Sequence, residues 1–164
     1  DNLEMLWHDR RMASFGPIFM TNLAVFLGWR FATTSALNRV MHKYFLLNPV
    51  PSQFVPSSML LSSFSHTGAI HFGFNMFALW SFCDDFQAVV RPPHFQAVYC
   101  TAGAFSGFTS LLASAATRSR IPSLGASGAV LFLAAWTAWN NPQTKYAFIF
   151  LPNVEFEGTS MIKG

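Results

Sequence analysis

Residues 59–83 have the sequence MLLSSFSHTGAIHFGFNMFALWSFC, which contains no Asp, Glu, Lys or Arg. The run is long enough for a membrane-spanning helix, which needs about 20 mostly apolar residues. Three of its side chains, His66, His71 and Asn75, are nevertheless strongly polar. Such groups inside a membrane usually face a protein interior or a water-filled cavity, and they indicate function by default. The stretch therefore predicts a membrane span that lines a site.

The composition of the whole chain also indicates a membrane protein. Of 164 residues, 52% are hydrophobic and 10% are charged, whereas soluble domains carry about 25% charged residues. Residues 44–83, 92–117 and 121–144 contain no Asp, Glu, Lys or Arg. A charge at mid-bilayer costs at least about 2.5–3.5 kcal/mol, so these gaps predict that the charges are confined to loops.

From these gaps we predict an all-α fold, a polytopic membrane helical bundle. An N-terminal flank of residues 1–14 precedes one membrane domain, residues 15–164. Its spans are predicted at about residues 15–29, 59–83, 95–117, 123–139 and 146–162. The last predicted span is strongly apolar only over residues 146–154. It is long enough to cross the membrane only if the helix continues through the polar residues 155–160. Residues 37–47 are amphipathic, which suits a helix lying in the bilayer interface.

Several other sequence features limit the classes of function that this chain can have. The net charge of +3 comes from scattered Arg and Lys, and without a basic run there is little support for nucleic-acid binding. Cys83 and Cys100 make no disulfide framework and are expected to be buried thiols. Basic residues are divided almost equally between alternate loops, so the orientation in the membrane stays open. Because the chain starts at Asp1 rather than Met, we expect a fragment or a processed form.

The second polar feature is the sequence GASG at residues 125–128, which opens the fourth span. Acyl transfer needs a nucleophile, a base and donors for the developing oxyanion. Small neighbours leave room for a peptide to reach the Ser127 hydroxyl, and a helix N-terminus leaves the Ser127 N–H free. His71 and Asn75 lie four residues apart on one helical face, so they supply further donors.

Each feature also has a structural explanation. His71 and Asn75 are equally well explained as polar contacts between helices, and a serine between glycines is more often a packing point than a nucleophile. The combination on two different spans favours function. The G-x-S-x-G elbow of soluble hydrolases does not fit, because Ala129 stands two residues after Ser127.

Residues 125–128 resemble the G-x-S-G motif of the rhomboid intramembrane serine proteases. His66, His71 and Asn75 resemble that family's second-helix pattern, a histidine, a second histidine five residues on, and an asparagine four after that. The order and separation of the two motifs also match. The chain from Phe15 onward looks like the first five of the six rhomboid core helices, with the sixth missing. Residues 75–82 and 122–129 look most similar to the mitochondrial branch.

The resemblance implies a Ser–His dyad endopeptidase that cleaves transmembrane segments of other proteins without a metal or cofactor. Ser127 is then the nucleophile, and the lipid bilayer and membrane proteins are its partners. His71, Asn75 and the Ser127 amide hold the oxyanion. His66, with Gly125 and Gly128, supports the site. A mitochondrial inner-membrane location follows from the resemblance alone.

The resemblance places the dyad histidine on the sixth helix, beyond residue 164. The last histidine of this chain is His94, in a loop before the serine. We therefore expect the Ser127 hydroxyl to have no imidazole neighbour and the 164-residue chain alone to lack proteolytic activity. Where many bacterial rhomboids carry a tyrosine four residues after the serine, this chain has Leu131.

Two further classes stay open. A non-catalytic rhomboid-like protein that binds clients would keep the fold and lose the dyad. A small channel or transporter would use the polar face of the second span as a path. The intact Ser127, His71 and Asn75 argue against the first class, and the second leaves residues 125–128 unexplained. Substrate identity and oligomeric state are not indicated.

Overall fold

The computed structural model describes residues 2–143, 145–148 and 151–157, and it confirms the predicted helical bundle over residues 2–140. The helices are α1 (Asn2–Arg30), α2 (Ser35–Tyr44), α3 (Ser58–Leu61), α4 (Ala69–Gln87), α5 (Pro92–Thr117) and α6 (Ser127–Asn140). A 3-10 helix, Ser62–Phe64, follows α3 directly. Strands β1 (Lys145–Phe148) and β2 (Leu151–Glu157) form an antiparallel hairpin after the bundle.

Helix α1 is much longer than the first predicted span, residues 15–29, which forms its second half. Among the described residues, one helix is long and apolar enough to cross a membrane, over His8–Arg30. Pro17 lies inside it and has no N–H to donate to the carbonyl of Ala13 one turn earlier. The side-chain amide of Gln96 on α5 donates to this carbonyl instead, at 2.9 Å. The bundle therefore satisfies the acceptor that the proline leaves open.

The second predicted span, residues 59–83, is not one continuous helix. It is divided into α3, the 3-10 helix, an extended stretch and α4. Ser65 and Gly68 both have extended backbone angles. Backbone carbonyls at the division make tertiary contacts: Ser62 accepts a hydrogen bond from Gly125 N–H in addition to that from Ser65 N–H, and Ser63 accepts one from the Tyr99 hydroxyl. His66 consequently lies in the extended stretch before α4.

The next two helices lie close to their predicted positions, and local chemistry explains their first residues. Helix α5 begins at Pro92, three residues before the predicted 95, because prolines suit the first turn, where no N–H is needed. Helix α6 begins at Ser127 rather than at Ser123. The backbone of Ser123 is instead paired with that of Leu47 through two N–H···O bonds of 2.9 and 3.0 Å.

The predicted fifth span, about residues 146–162, is not helical in its described residues. These residues form the hairpin, in which Lys145 pairs with Glu157 and Phe148 with Leu151. Apolar and charged residues alternate over 154–157, which is typical of a strand. Residues 149–150 and 158–162 of that prediction lie outside the described residues.

Helix α2, predicted to be amphipathic, is held against the end of α1. The Thr34 hydroxyl caps it by accepting a hydrogen bond from Leu37 N–H at 3.3 Å. Met41 is its buried side chain, and a Cβ at Gly28 of α1 would lie 3.3 Å from the Met41 sulfur. Gly28 therefore lets the two helices meet closely, and the opposite face of α2 stays exposed.

The core joins α1, α4, α5 and α6, and Tyr99 on α5 is one of its largest fully buried side chains. Its hydroxyl donates to the Ser63 carbonyl at 2.9 Å and accepts from the Asn22 side-chain amide at 3.2 Å. A Cβ at Gly103 would lie 2.7 Å from Ser63 Cβ, and one at Gly107 would lie 2.6 Å from the Met59 carbonyl oxygen. The two glycines let α5 approach the α3 segment closely, as small residues do between packed membrane helices.

We predict that Tyr99→Phe lowers the thermal unfolding temperature of the protein in detergent. The substitution removes the hydroxyl donor of the buried Ser63 carbonyl and leaves the Asn22 amide with only its bond to the Ile18 carbonyl, and an unsatisfied buried group typically costs about 1–3 kcal/mol. Tyr44→Phe is the matched control, because the Tyr44 hydroxyl makes no hydrogen bond within the described residues. Equal unfolding temperatures for the two variants would contradict this account of the core.

Candidate active site around Ser127

A backbone turn places the residues before α6. Gly125 has φ of +124°, a left-handed conformation that L side chains rarely adopt. Its N–H donates to the Ser62 carbonyl at 2.9 Å, and the next N–H, of Ala126, donates to His66 Nε2 at 3.3 Å. The turn is therefore fixed from both sides by the segment that precedes α4.

The two histidines predicted for the site lie together. His66 is fully buried, and its ring packs edge-to-face on that of His71, with 5.0 Å between centroids. The His71 ring, which is exposed, lies over Gly125, where a Cβ would be 2.7 Å from His71 Cε1. Gly125 is thus required both by its backbone angle and by the imidazole beside it.

Asn75 lies one turn after His71 on α4, as predicted, and it is buried. Its amide nitrogen donates to the backbone carbonyl of His71 at 2.8 Å. A side-chain amide carries two N–H donors, so one remains for another acceptor. The structure places Asn75 against the backbone of His71, and part of its hydrogen-bonding capacity is used within α4.

Ser127 is the first residue of α6 and is exposed. Its N–H has no partner within the helix because it belongs to the first turn. In the part of the chain that the structure describes, the Ser127 hydroxyl makes no hydrogen bond with a histidine ring. A Cβ at Gly128 would overlap the Ser106 side chain, so this glycine brings α6 directly against α5.

His94 is placed far from this serine. It lies in the first turn of α5, and Ser106, which contacts Gly128, lies on the same helix. Twelve residues of helix separate the two positions, or about 18 Å at 1.5 Å per residue. His94 is therefore not a base for Ser127.

A cavity of about 150 Å³ opens beside Ser127. It is rich in hydroxyl groups, and its serines are Ser62, Ser63, Ser106, Ser110, Ser123 and Ser127. The hydroxyls of Ser110 and Ser123 are hydrogen-bonded at 3.0 Å. The sequence predicted a role for Ser127 but not for the other five serines, because serine is common in membrane helices. The one sequence pattern that could have indicated the cavity is the pair Ser106 and Ser110, which lie one turn apart on the glycine-rich face of α5.

In the described part of the chain, no three His, Cys, Asp or Glu side chains are grouped as metal ligands. The arrangement instead collects an exposed hydroxyl at a helix N-terminus, an imidazole and a primary amide. These are the groups that acyl transfer uses as nucleophile and oxyanion donors.

Comparison with known proteins agrees with these motifs. The rhomboid-domain profile matches residues 53–161. "Presenilin-associated rhomboid-like protein, mitochondrial" from Homo sapiens is 39% identical over 146 residues, which are 89% of this chain and 38% of that protein. "Rhomboid protein 1, mitochondrial" from Saccharomyces cerevisiae is 32% identical over 135 residues, 80% of this chain and 37% of that protein. The chain thus spans less than two fifths of the length of these relatives. No solved structure shows a significant match.

We predict that Gly125→Ala disrupts the turn before α6. A methyl group at this position meets the His71 ring at 2.7 Å and places an L side chain at φ of +124°, which costs on the order of 1–3 kcal/mol. Gly73→Ala is the matched control, because a Cβ there has nothing within 4 Å and alanine favours a helix. Thermal unfolding in detergent should be lowered by the first substitution and not by the second. A Gly125→Ala variant as stable as the Gly73→Ala variant would contradict the turn's role.

Proposed function

The chain belongs to the rhomboid family, and from this premise we propose that the full-length protein is an intramembrane serine endopeptidase. Its substrates would be membrane proteins, cleaved within their transmembrane segments. The family is embedded in membranes, and the named relatives are mitochondrial. The mitochondrial inner membrane is the proposed location.

One observation carries the proposal. The turn at Gly125, over which the His71 ring lies, presents Ser127 two residues later as the exposed first residue of α6. A fixed turn, an exposed serine at a helix N-terminus and hydrogen-bond donors on the adjacent segment are the features expected of a preorganised acyl-transfer site.

The proposed reaction begins when Ser127 Oγ attacks the carbonyl carbon of the scissile peptide bond and loses its proton to a base. The carbonyl oxygen becomes an oxyanion, which accepts hydrogen bonds from the Ser127 N–H, the His71 ring and the remaining Asn75 N–H. Collapse breaks the C–N bond, the base protonates the leaving amine, and an acyl-enzyme remains. Water then hydrolyses the ester and restores the Ser127 hydroxyl.

His66 would act by positioning rather than by contact with substrate. Its ring accepts the Ala126 N–H and packs on His71, so it holds both the nucleophile's turn and the oxyanion donor. The base must lie within about 2.6–3.2 Å of the hydroxyl. The family resemblance assigns that role to a histidine of the full-length protein outside these 164 residues.

We predict that a fluorophosphonate probe labels the full-length protein at Ser127, because the base and the oxyanion donors activate that hydroxyl. Ser127→Ala should abolish labelling, as measured by in-gel fluorescence and mass spectrometry. Ser123→Ala is the control, since Ser123 lines the same cavity but is bonded to Ser110. Labelling that survives Ser127→Ala would refute the assignment, and no labelling of the wild type would favour a non-catalytic client-binding protein.

His71→Ala and Asn75→Ala should each lower kcat of the full-length protein by about 10- to 1,000-fold, the usual effect of removing one oxyanion donor. His94→Ala, a change at an exposed histidine of α5, should leave kcat unchanged. Turnover is measured on a transmembrane substrate in liposomes, with thermal unfolding beside it. If a variant loses stability but each folded molecule keeps full activity, the residue is structural and its proposed catalytic role is wrong.

A further inference from the structure

The outer face of α2 forms an open groove of about 420 Å³, away from Ser127. Its lining residues are Ser35, Asn38, Arg39 and His42. They lie on one helical face, since their spacing follows the helical repeat, and all four are exposed. The groove therefore presents a guanidinium, an imidazole, a side-chain amide and a hydroxyl to one space.

The charge around this groove is uncompensated and positive. Arg30 ends α1, and Arg39 and Lys43 lie on α2. The sequence contains no Asp or Glu between Asp9 and Asp84. Within the described residues none of these three cations takes part in an ion pair. The groove therefore has an electrostatic preference for an anion.

The one ion pair recorded among the described residues lies at the other end of α1. Asp84 pairs with Arg11 at 2.9 Å. Arg11 and Arg30 lie nineteen residues apart on α1, or about 28 Å at 1.5 Å per residue. Asp84 therefore neutralises the charge of Arg11 and does not compensate the positive charges near α2.

Exposed apolar side chains lie among these cations. Phe31, directly after α1, is 67% exposed, and Val40 on α2 is 44% exposed. The helix that can cross a membrane ends at Arg30, so α2 begins at the boundary where that helix leaves the bilayer. Exposed apolar groups beside basic ones at this level are typical of a helix on an anionic lipid surface. A site for a soluble anion needs no such apolar neighbours.

The groove is also held in shape. His42 Nδ1 lies 3.0 Å from the Asn38 carbonyl, so Nδ1 carries a hydrogen in that contact and Nε2 is directed away from it. The His42 ring packs edge-to-face on Trp29, with 5.0 Å between centroids. The Trp29 indole N–H donates in turn to Ser65 Oγ at 2.6 Å. The imidazole therefore has a fixed position at the edge of the groove.

We propose that this groove binds the phosphate-bearing headgroup of an anionic phospholipid. Arg39 is its principal contact, with Asn38, Ser35 and His42 as further hydrogen-bonding groups. The acyl chains would lie along the apolar side chains at the end of α1. The site goes beyond the proposed proteolysis and does not depend on it, because none of its residues belongs to the serine site.

The test measures lipid binding to the purified chain by native mass spectrometry in neutral detergent. Short-chain phosphatidylglycerol should bind, and phosphatidylcholine with the same chains should bind at least about tenfold more weakly. Arg39→Gln should weaken phosphatidylglycerol binding about fivefold, the usual effect of one basic residue near an anionic surface. Arg120→Gln is the matched control, because it removes the same charge from another exposed residue, which lies outside the groove. Arg120 is three positions before Ser123, whose backbone pairs with Leu47. This variant should leave phosphatidylglycerol binding unchanged.

Three results would overturn the proposal. Equal weakening by Arg39→Gln and Arg120→Gln would show attraction to overall charge rather than a site. Equal binding of the two lipids would remove the anion preference. Inorganic phosphate that binds as tightly as phosphatidylglycerol would identify a soluble anion as the ligand. If Arg39→Gln fails to fold by thermal unfolding, Asn38→Ala replaces it and should weaken phosphatidylglycerol binding at least about twofold.

Discussion

Two hydrogen bonds between the segment before α4 and the turn before α6 determine much of the bundle. Gly125 N–H donates to the Ser62 carbonyl, and Ala126 N–H donates to the His66 ring. A continuous helix over residues 59–83 would pair the Ser62 carbonyl with the N–H of residue 66, whereas it accepts from Ser65 and Gly125. Such a helix would also carry His66 within it. The interruption of that helix is therefore a condition for the site, and α6 begins where this contact ends.

The sequence predicts the helical class and the approximate position of most helices because charge-free apolar runs depend on composition alone. The ends of the helices depend on partners that are distant along the chain. Ser123 stays outside α6 because its backbone pairs with Leu47, and α1 continues through Pro17 because Gln96 replaces the missing donor. The hairpin at residues 145–157 shows another limit: there, alternation over four residues indicated a strand, whereas apolar composition had suggested a helix.

The sequence motifs predicted which residues form the candidate site, but not how their side chains are oriented. The four-residue spacing predicted that His71 and Asn75 share one face of the helix, and they do. It did not predict that the Asn75 amide donates one of its N–H groups to the carbonyl of His71. The serines of the cavity were missed because one serine in an apolar helix gives no signal; their common position becomes visible only when α3, α5 and the turn before α6 pack together. The structure explains Gly125 of the G-x-S-G motif most directly, because both its φ and the adjacent His71 ring exclude a side chain at this position.

Residues 65 and 66 connect the α2 groove with the serine site. Ser65 accepts the hydrogen bond of Trp29, whose ring supports His42 beside the α2 groove, and the next residue supports the Ala126 amide. The two sites use different atoms of neighbouring residues, a side-chain oxygen and an imidazole nitrogen. The same short extended segment is thus held from α1 on one side and from α6 on the other. Its extended backbone is what makes both contacts possible, because adjacent side chains of an extended chain point in opposite directions.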